Sequence, residues 1–258
     1  YFKKKKFIQN YVYSALNQTY SNLEIIIVYD DEDRTDLDYL RKTFDSIEKI
    51  SIIVNERNMG AGISRNVGMK AAKGIYVSFL DADDFWEKNK IQKQLDFMYK
   101  NNAKISHTSY QVIDDKNKII GFRRAKNFKN YKEIIKSCDI GLSSVIIKKE
   151  IVSDEISFVD LKTKEDFVLW LRILKNEITI HGLDENLLSW RKTYNSLSSS
   201  TIQKLNDGYK VYNKYMGYNY FISFYYLMCL SINYIKKRFN DWNSNFFLVT
   251  LALTYVSN

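Results

Sequence analysis

The 258-residue chain contains no proline, although a usage of about 5% would supply roughly a dozen. It opens at Tyr1 rather than at methionine and shows no signal peptide. Together these oddities lead to the expectation that an N-terminal piece precedes Tyr1. Cysteine is almost as scarce: Cys138 and Cys229 lie far apart, outside any CxxC or Cys/His cluster. That argues against a disulfide framework or a zinc site and suits a reducing, cytosolic compartment. With His107 and His181 the only histidines, a mechanism resting on several imidazoles is improbable. Any metal should be held by carboxylates, as magnesium or manganese would be. No internal repeat and no linker rich in Gly, Ser or Pro stands out. Neither C-terminal apolar tract reaches the roughly 18–20 clean residues needed to cross a bilayer.

What is present fits one main core. Residues that are 45% hydrophobic and 15% aromatic rule out general disorder. Thirty-nine Lys and Arg against 30 Asp and Glu leave a net charge of +9, which attracts phosphate, anionic lipid or nucleic acid without choosing among them.

Phe7, Ile8, Tyr11, Val12, Ala15 and Leu16 recur at helical spacing, and Asn17 to Asn22 form a polar stop. Leu23–Tyr29, Ile50–Val54 and Ile75–Leu80 are short, β-branched apolar runs of the kind buried on both faces of a sheet. Helical stretches near 36–46 and 61–73 separate them, which predicts a parallel sheet wrapped by helices with ligands beyond the strands' carboxyl ends. A helix near 87–100 follows. Residues 104–123 read as a hairpin-like insertion around Asp114 to Lys118, Leu142–Ile147 as a strand, and a further helix begins near Glu165. Residues 201–217 look helical. The aromatic tract Tyr220–Ile235, followed by Lys236-Lys237-Arg238, is expected either to pack on the domain or to lie in a lipid interface.

Asp81-Ala82-Asp83-Asp84 directly follows an apolar strand. Carboxylates converging there repel one another and lose water, and a divalent cation relieves both. Such an ion could also stabilise a diphosphate leaving group, whereas a solvated acidic turn is the plain alternative. Asp30-Asp31-Glu32-Asp33 ends another strand, where an aspartate can accept hydrogen bonds from a base or ribose. Asn58-Met59-Gly60 through Arg65-Asn66 opens a helix with glycines, suiting close backbone approach to an anion. Glu165-Asp166 begins a strongly apolar helix. Acids there satisfy the helix dipole by themselves, yet one of them could serve as a general base.

In combination these segments resemble family 2 glycosyltransferases of the GT-A fold, especially bacterial enzymes of surface-polysaccharide and lipopolysaccharide synthesis. Ser14-Ala15-Leu16-Asn17-Gln18-Thr19-Tyr20 is similar to the family's first-helix signature, and Asn58 to Gly68 to its second. Phe79 to Trp86 resembles the DxD segment, and Lys164 to Leu171 the late acidic motif. The resemblance covers residues 1–200, implying a GT-A nucleotide-binding domain, an α/β unit with a mostly parallel sheet flanked by helices. Residues 201–258 would form a helical, aromatic and basic extension. The family's first strand would stand just before Tyr1.

The resemblance implies an inverting, metal-dependent hexosyltransferase. Asp30 or Asp31 would meet the uracil of a UDP-sugar, Asp81 the ribose or sugar, and Asp83 a Mn2+ or Mg2+ bridging the diphosphate. Asn58 and Gly60 would line the nucleotide, Arg65 would brace the diphosphate or the DxD loop, and Asp166 would be the base that activates the acceptor hydroxyl. The implied acceptor is a glycan or lipid-linked glycan. The implied location is cytoplasmic, with peripheral contact to the inner membrane through the extension and no nucleic acid partner. Where many relatives carry a histidine near the metal, Thr193 or Tyr194 stands here, so the metal shell would be completed differently. The competing readings are an aspartyl phosphohydrolase and a basic lipid- or nucleic-acid-binding module that uses Lys3 to Lys6 and Lys236 to Arg238.

Overall fold

A computed structural model of the chain describes the backbone of residues 5–192 and 200–254, and side-chain surroundings over 8–192 and 200–237. Helix α1 (Lys5–Leu16) leads into strand β1 (Ile25–Tyr29), helix α2 (Leu37–Phe44) and strand β2 (Ile50–Val54). β1 and β2 pair in parallel, Ile25 opposite Ile50 and Tyr29 opposite Val54, as their β-branched runs predict. Ile8 and Val12 of α1 and Leu40 and Phe44 of α2 close over this ladder in a core of their own.

Helix α3 (Ala61–Ala71) and strand β3 (Tyr76–Ser78) come next. They are followed by the two-residue strand β4 (Phe85–Trp86), helix α4 (Lys90–Lys100) and strands β5 (Ile105–Ile113), β6 (Ile119–Arg123) and β7 (Ile146–Lys148). Helix α5 (Glu165–Lys175), strand β8 (His181–Arg191) and helices α6 (Thr201–Lys210) and α7 (Tyr220–Thr254) complete the order.

The second sheet runs β3-β7-β5-β8-β4, with β6 also on β5. Among the described residues, parallel pairing is confined to β1 with β2 and β5 with β8, so this sheet is mixed rather than mostly parallel. Chain reversals cause this: β3, β6 and β7 all return against their partners. The 104–123 segment is therefore no insertion. Its first strand, β5, is the centre of the sheet, with β7 and then β6 along one edge and β8 along the other. The strand expected over 142–147 starts only at Ile146, because Leu142–Ser144 form a 3-10 turn.

Helix α5 is apolar nearly all round, and Phe167, Val168, Leu169, Trp170, Leu171, Ile173 and Leu174 are all buried. A helix with that pattern belongs inside a core. Each such side chain contributes on the order of 1.5–3 kcal/mol when fully covered. The N-terminus of α5 is consequently fixed. From the extension, Val211, Tyr212, Met216 and Leu230 join the same core, and the Tyr212 hydroxyl donates to the Ile135 carbonyl at 2.7 Å. No helix among the described residues is long and apolar enough to cross a membrane.

Candidate active site

Three chain segments meet beyond the strand ends. The first is the β1 terminus. Asp30 is buried, and its Oδ1 accepts from Asn55 Nδ2 at 2.6 Å and from the Met59 N–H at 2.8 Å, while Oδ2 accepts from the Gly60 N–H at 2.9 Å. Gly60 has φ +82°, a conformation other residues resist, and stands directly before α3. Asp30 thus fastens the glycine loop to the first ladder. Asp31, also buried, accepts from the Asp33 N–H at 3.2 Å through Oδ1. Asn58 is exposed, and its N–H donates to Glu32 at 3.2 Å.

The second segment is the DxD turn. The Asp84 N–H donates to the Asp81 carbonyl at 3.0 Å, closing the turn. Ser143 locks it: the Asp81 N–H donates to Ser143 Oγ at 3.0 Å, and that hydroxyl donates to Asp84 Oδ2 at 2.6 Å. Arg191 holds the other side. Its N–H donates to Asp84 Oδ1 at 2.9 Å, its Nε to the Asp83 carbonyl at 3.2 Å, and its guanidinium reaches the Asp114 carbonyl and Asn117. Burial, then the neighbouring charges of Asp81 and Asp83, push the Asp84 carboxyl well above the usual range. Asp84 is therefore the scaffold of the turn, leaving Asp81 and Asp83 half-buried at its rim.

The third segment is the start of α5. Arg65 of α3 spans the gap, donating to Asp81 at 2.8 Å through one terminal nitrogen and to Glu165 at 2.5 Å through the other. Beside it, Gly62 lies so close to the Val159 carbonyl that a Cβ would stand 2.5 Å from that oxygen. Asn66 donates to the Phe158 carbonyl at 2.8 Å and accepts from the Phe158 N–H at 3.0 Å. Lys164 adopts a left-handed φ of +71° immediately before the acidic pair. The Thr163 N–H and hydroxyl both donate to Asp207 of α6 at 3.0 Å.

Burial raises the Asp166 carboxyl, the Lys164 and Arg65 charges oppose that rise, and Asp81 adds to it. Burial likewise raises Glu165 to about 7 against the pull of Arg65. Asp81, Arg65, Glu165 and Asp166 therefore share one electrostatic neighbourhood. Ser143, Arg191, Lys164 and the role of Glu165 as partner of Arg65 were not anticipated. Isolated Ser and Arg residues far along the chain carry no spacing signal.

The carboxylates offered at the rim, Asp81 and Asp83, are hard oxygen donors of the kind magnesium and manganese take. Among the described residues no group of three or more His, Cys, Asp or Glu side chains could hold a metal ion. Because Asp81 is already paired with Arg65, a cation at this turn would have to draw most of its shell from a ligand's oxygens and water. Thr193 and Tyr194, the positions expected to replace a metal-near histidine, lie outside the described residues.

The model of a known family, glycosyl transferase family 2, matches residues 1–152, more than half of the chain. The chain belongs to this family. Membership sets aside both the phosphohydrolase and the basic binding module. TuaG of Bacillus subtilis (strain 168), a glycosyltransferase named for teichuronic acid biosynthesis, is 30% identical over 238 residues, 92% of this chain and 94% of TuaG. The Escherichia coli UDP-Glc:alpha-D-GlcNAc-diphosphoundecaprenol beta-1,3-glucosyltransferase WfgD is 31% identical over 233 residues, 90% of this chain and 89% of its own length. Among solved structures, S. aureus TarS 1-349 in complex with UDP-GlcNAc superposes with a TM-score of 0.67 at 20% identity. That match covers 81% of this chain, which spans 62% of the TarS chain. The likeness shows the shared GT-A architecture of the family.

Proposed function

We propose that this family member transfers a hexose from a UDP-sugar to a hydroxyl of a lipid-linked glycan in bacterial surface-polysaccharide synthesis, inverting the anomeric carbon. The observation that carries this reading is the Arg65 bridge, which sets the DxD turn and the late acidic pair on either side of one guanidinium. A donor diphosphate at the turn and an acceptor hydroxyl at Asp166 would then face each other. The name of WfgD gives UDP-Glc as donor and a diphosphoundecaprenol-linked GlcNAc as acceptor, and the TarS complex holds UDP-GlcNAc. Both support a UDP-sugar here.

Within residues 1–200, taken as the catalytic unit, Asp31 is assigned to the base, since Asp30 spends its oxygens on the Met59 and Gly60 amides. Asn58 and the Gly60 loop line the nucleotide, with the positive end of α3 behind them. Asp81 meets the ribose or sugar, and Asp83 would hold Mn2+ or Mg2+. Such a cation supplies charge neutralisation of the diphosphate leaving group. Asp166 takes the proton of the acceptor hydroxyl as that oxygen attacks, a role served by a carboxyl whose affinity for protons burial has raised. Arg65 orients Asp81 and Glu165. A lipid-linked acceptor brings the enzyme to the cytoplasmic face of a membrane as a peripheral protein. The net charge of +9 favours anionic headgroups there, residues 201–258 included in the contact.

The test is acceptor-dependent UDP release. The full chain is incubated with UDP-glucose or UDP-GlcNAc, a GlcNAc-diphospholipid acceptor and Mn2+ or Mg2+, and the new linkage is read by NMR. Release that requires acceptor and cation supports the assignment. Failure to bind or cleave either donor overturns it.

A further inference from the structure

Helix α7 carries a regular stripe that the transfer chemistry does not use. Phe221, Tyr225, Met228, Ile232 and Ile235 follow one another by alternating steps of four and three, the spacing of heptad positions a and d. The sequence holds that register through Phe239, Trp242, Phe246, Val249 and Leu253, so ten successive a and d positions are apolar within Tyr220–Thr254. Heptads sustained over more than three or four repeats mark coiled coils.

Burial follows the same register. At position f, opposite the stripe, Ser223 and Leu230 are buried and Lys237 donates to the Cys138 carbonyl at 2.9 Å while pairing with Asp139. The described a and d residues are exposed, from 46% at Met228 to 81% at Phe221, with the Lys136 ammonium of the domain set over the Tyr225 ring at 5.4 Å. Over its described side chains, up to Lys237, the helix is thus fastened to its own domain by one side and presents an apolar seam on the other.

We infer that this seam pairs with the same helix of a second copy of the chain. A strict seven-residue repeat drifts by about 20° per heptad around a straight helix. Over the span from Phe221 to Leu253 the stripe would turn off a flat lipid surface, whereas a partner helix follows it by supercoiling. Charges agree with pairing. No charged residue occupies a or d, and in parallel register the flanking e and g positions set Lys236 opposite Ser231 and Arg238 opposite Asn243, without like-charge contact. Five of the ten seam residues are aromatic. Aromatic side chains bury ~150–250 Å² each, so closing the seam approaches the ~800 Å² per partner of a stable interface.

The experiment measures the mass of the full chain in solution by light scattering and sedimentation, beside a Met228→Glu, Ile232→Glu double variant. Wild type should be a dimer or another defined oligomer. The double variant should be monomeric with an unchanged circular dichroism spectrum and unchanged UDP affinity, since both residues are exposed and remote from the DxD turn in sequence. A monomeric wild type at tens of micromolar, or a variant that still associates, overturns the inference. So does a wild-type monomer that floats with phosphatidylglycerol vesicles when the variant does not, which would assign the seam to lipid. None of these outcomes depends on sugar transfer being observed.

Discussion

The Arg65 guanidinium donates to the Glu165 carboxylate at 2.5 Å across a sequence separation of 100 residues, and its second arm reaches Asp81 at 2.8 Å. Arg65→Lys keeps the charge but loses the fork that allows both contacts. Stability should fall by about 1–3 kcal/mol from the unmatched partner. Transfer should fall by more than tenfold, checked by thermal melts and steady-state kinetics on the same preparation. Unchanged kinetics would remove the bridge from the site.

Asp30 and Asp31 should separate cleanly. Asp30→Asn loses a carboxylate oxygen that accepts backbone N–H bonds, each such charged bond being worth about 1.5–3 kcal/mol. The midpoint of chemical denaturation should drop, and UDP affinity with it. Asp31→Asn should leave stability within about 1 kcal/mol while weakening UDP binding, as read by calorimetry. The reverse pattern would exchange their roles.

Asp166→Asn is expected to fold and to bind UDP while losing about 10²–10⁴-fold in kcat, the span of general base catalysis. As the proposed base, Asp166 acts in its ionised form, and burial raises its pKa. Activity should therefore be lost as pH falls through a limb lying above the ordinary carboxylate value of about 4. A variant with near-wild-type turnover would end the assignment.

Glu165 gives a stability signature of opposite sense to most carboxylates. Its folded pKa of about 7 exceeds the reference 4.5, so the folded chain binds more protons between those values than the unfolded chain. Its contribution then declines as pH rises from about 4.5 to about 7. Denaturation across that window should show a slope that Glu165→Gln reduces. Glu165→Gln with an unaltered slope would place the titration elsewhere.

Gly62→Ala tests the packing of α3 against the 158–165 segment. The new methyl would meet the Val159 carbonyl at 2.5 Å. Such overpacking costs about 1–3 kcal/mol, and the displaced segment should lower kcat more than it lowers UDP affinity.

Much of this architecture could be read directly from residues. The runs Ile25–Tyr29 and Ile50–Val54 became β1 and β2, the glycines at 60 and 62 stand where backbone turns or approaches closely, and Glu165 opens a helix. Strand β8 could not be read. Gly182, Asp184, Glu185 and Asn186 break any alternation, and its register on β5 shifts twice. Those polar residues are tolerated because the surrounding sheet supplies partners, Ser109 donating to Asp184 at 2.6 Å for instance. The antiparallel returns of β3, β6 and β7 were equally hidden, since an apolar run does not state its direction. Spacing singled out the acids as candidates but gave no sign of their restraints. Ser143 and Arg191 act through distances that only folding creates.

The reciprocal bonds between Asn66 and Phe158, with Gly62 against Val159 and Arg65 on Glu165, rivet α3 to the strand of chain that leads into α5. Helix α3 and the start of α5 are in this way held as one unit. Under the proposed assignments, the turn that takes the donor and the carboxylate that takes the acceptor's proton move together.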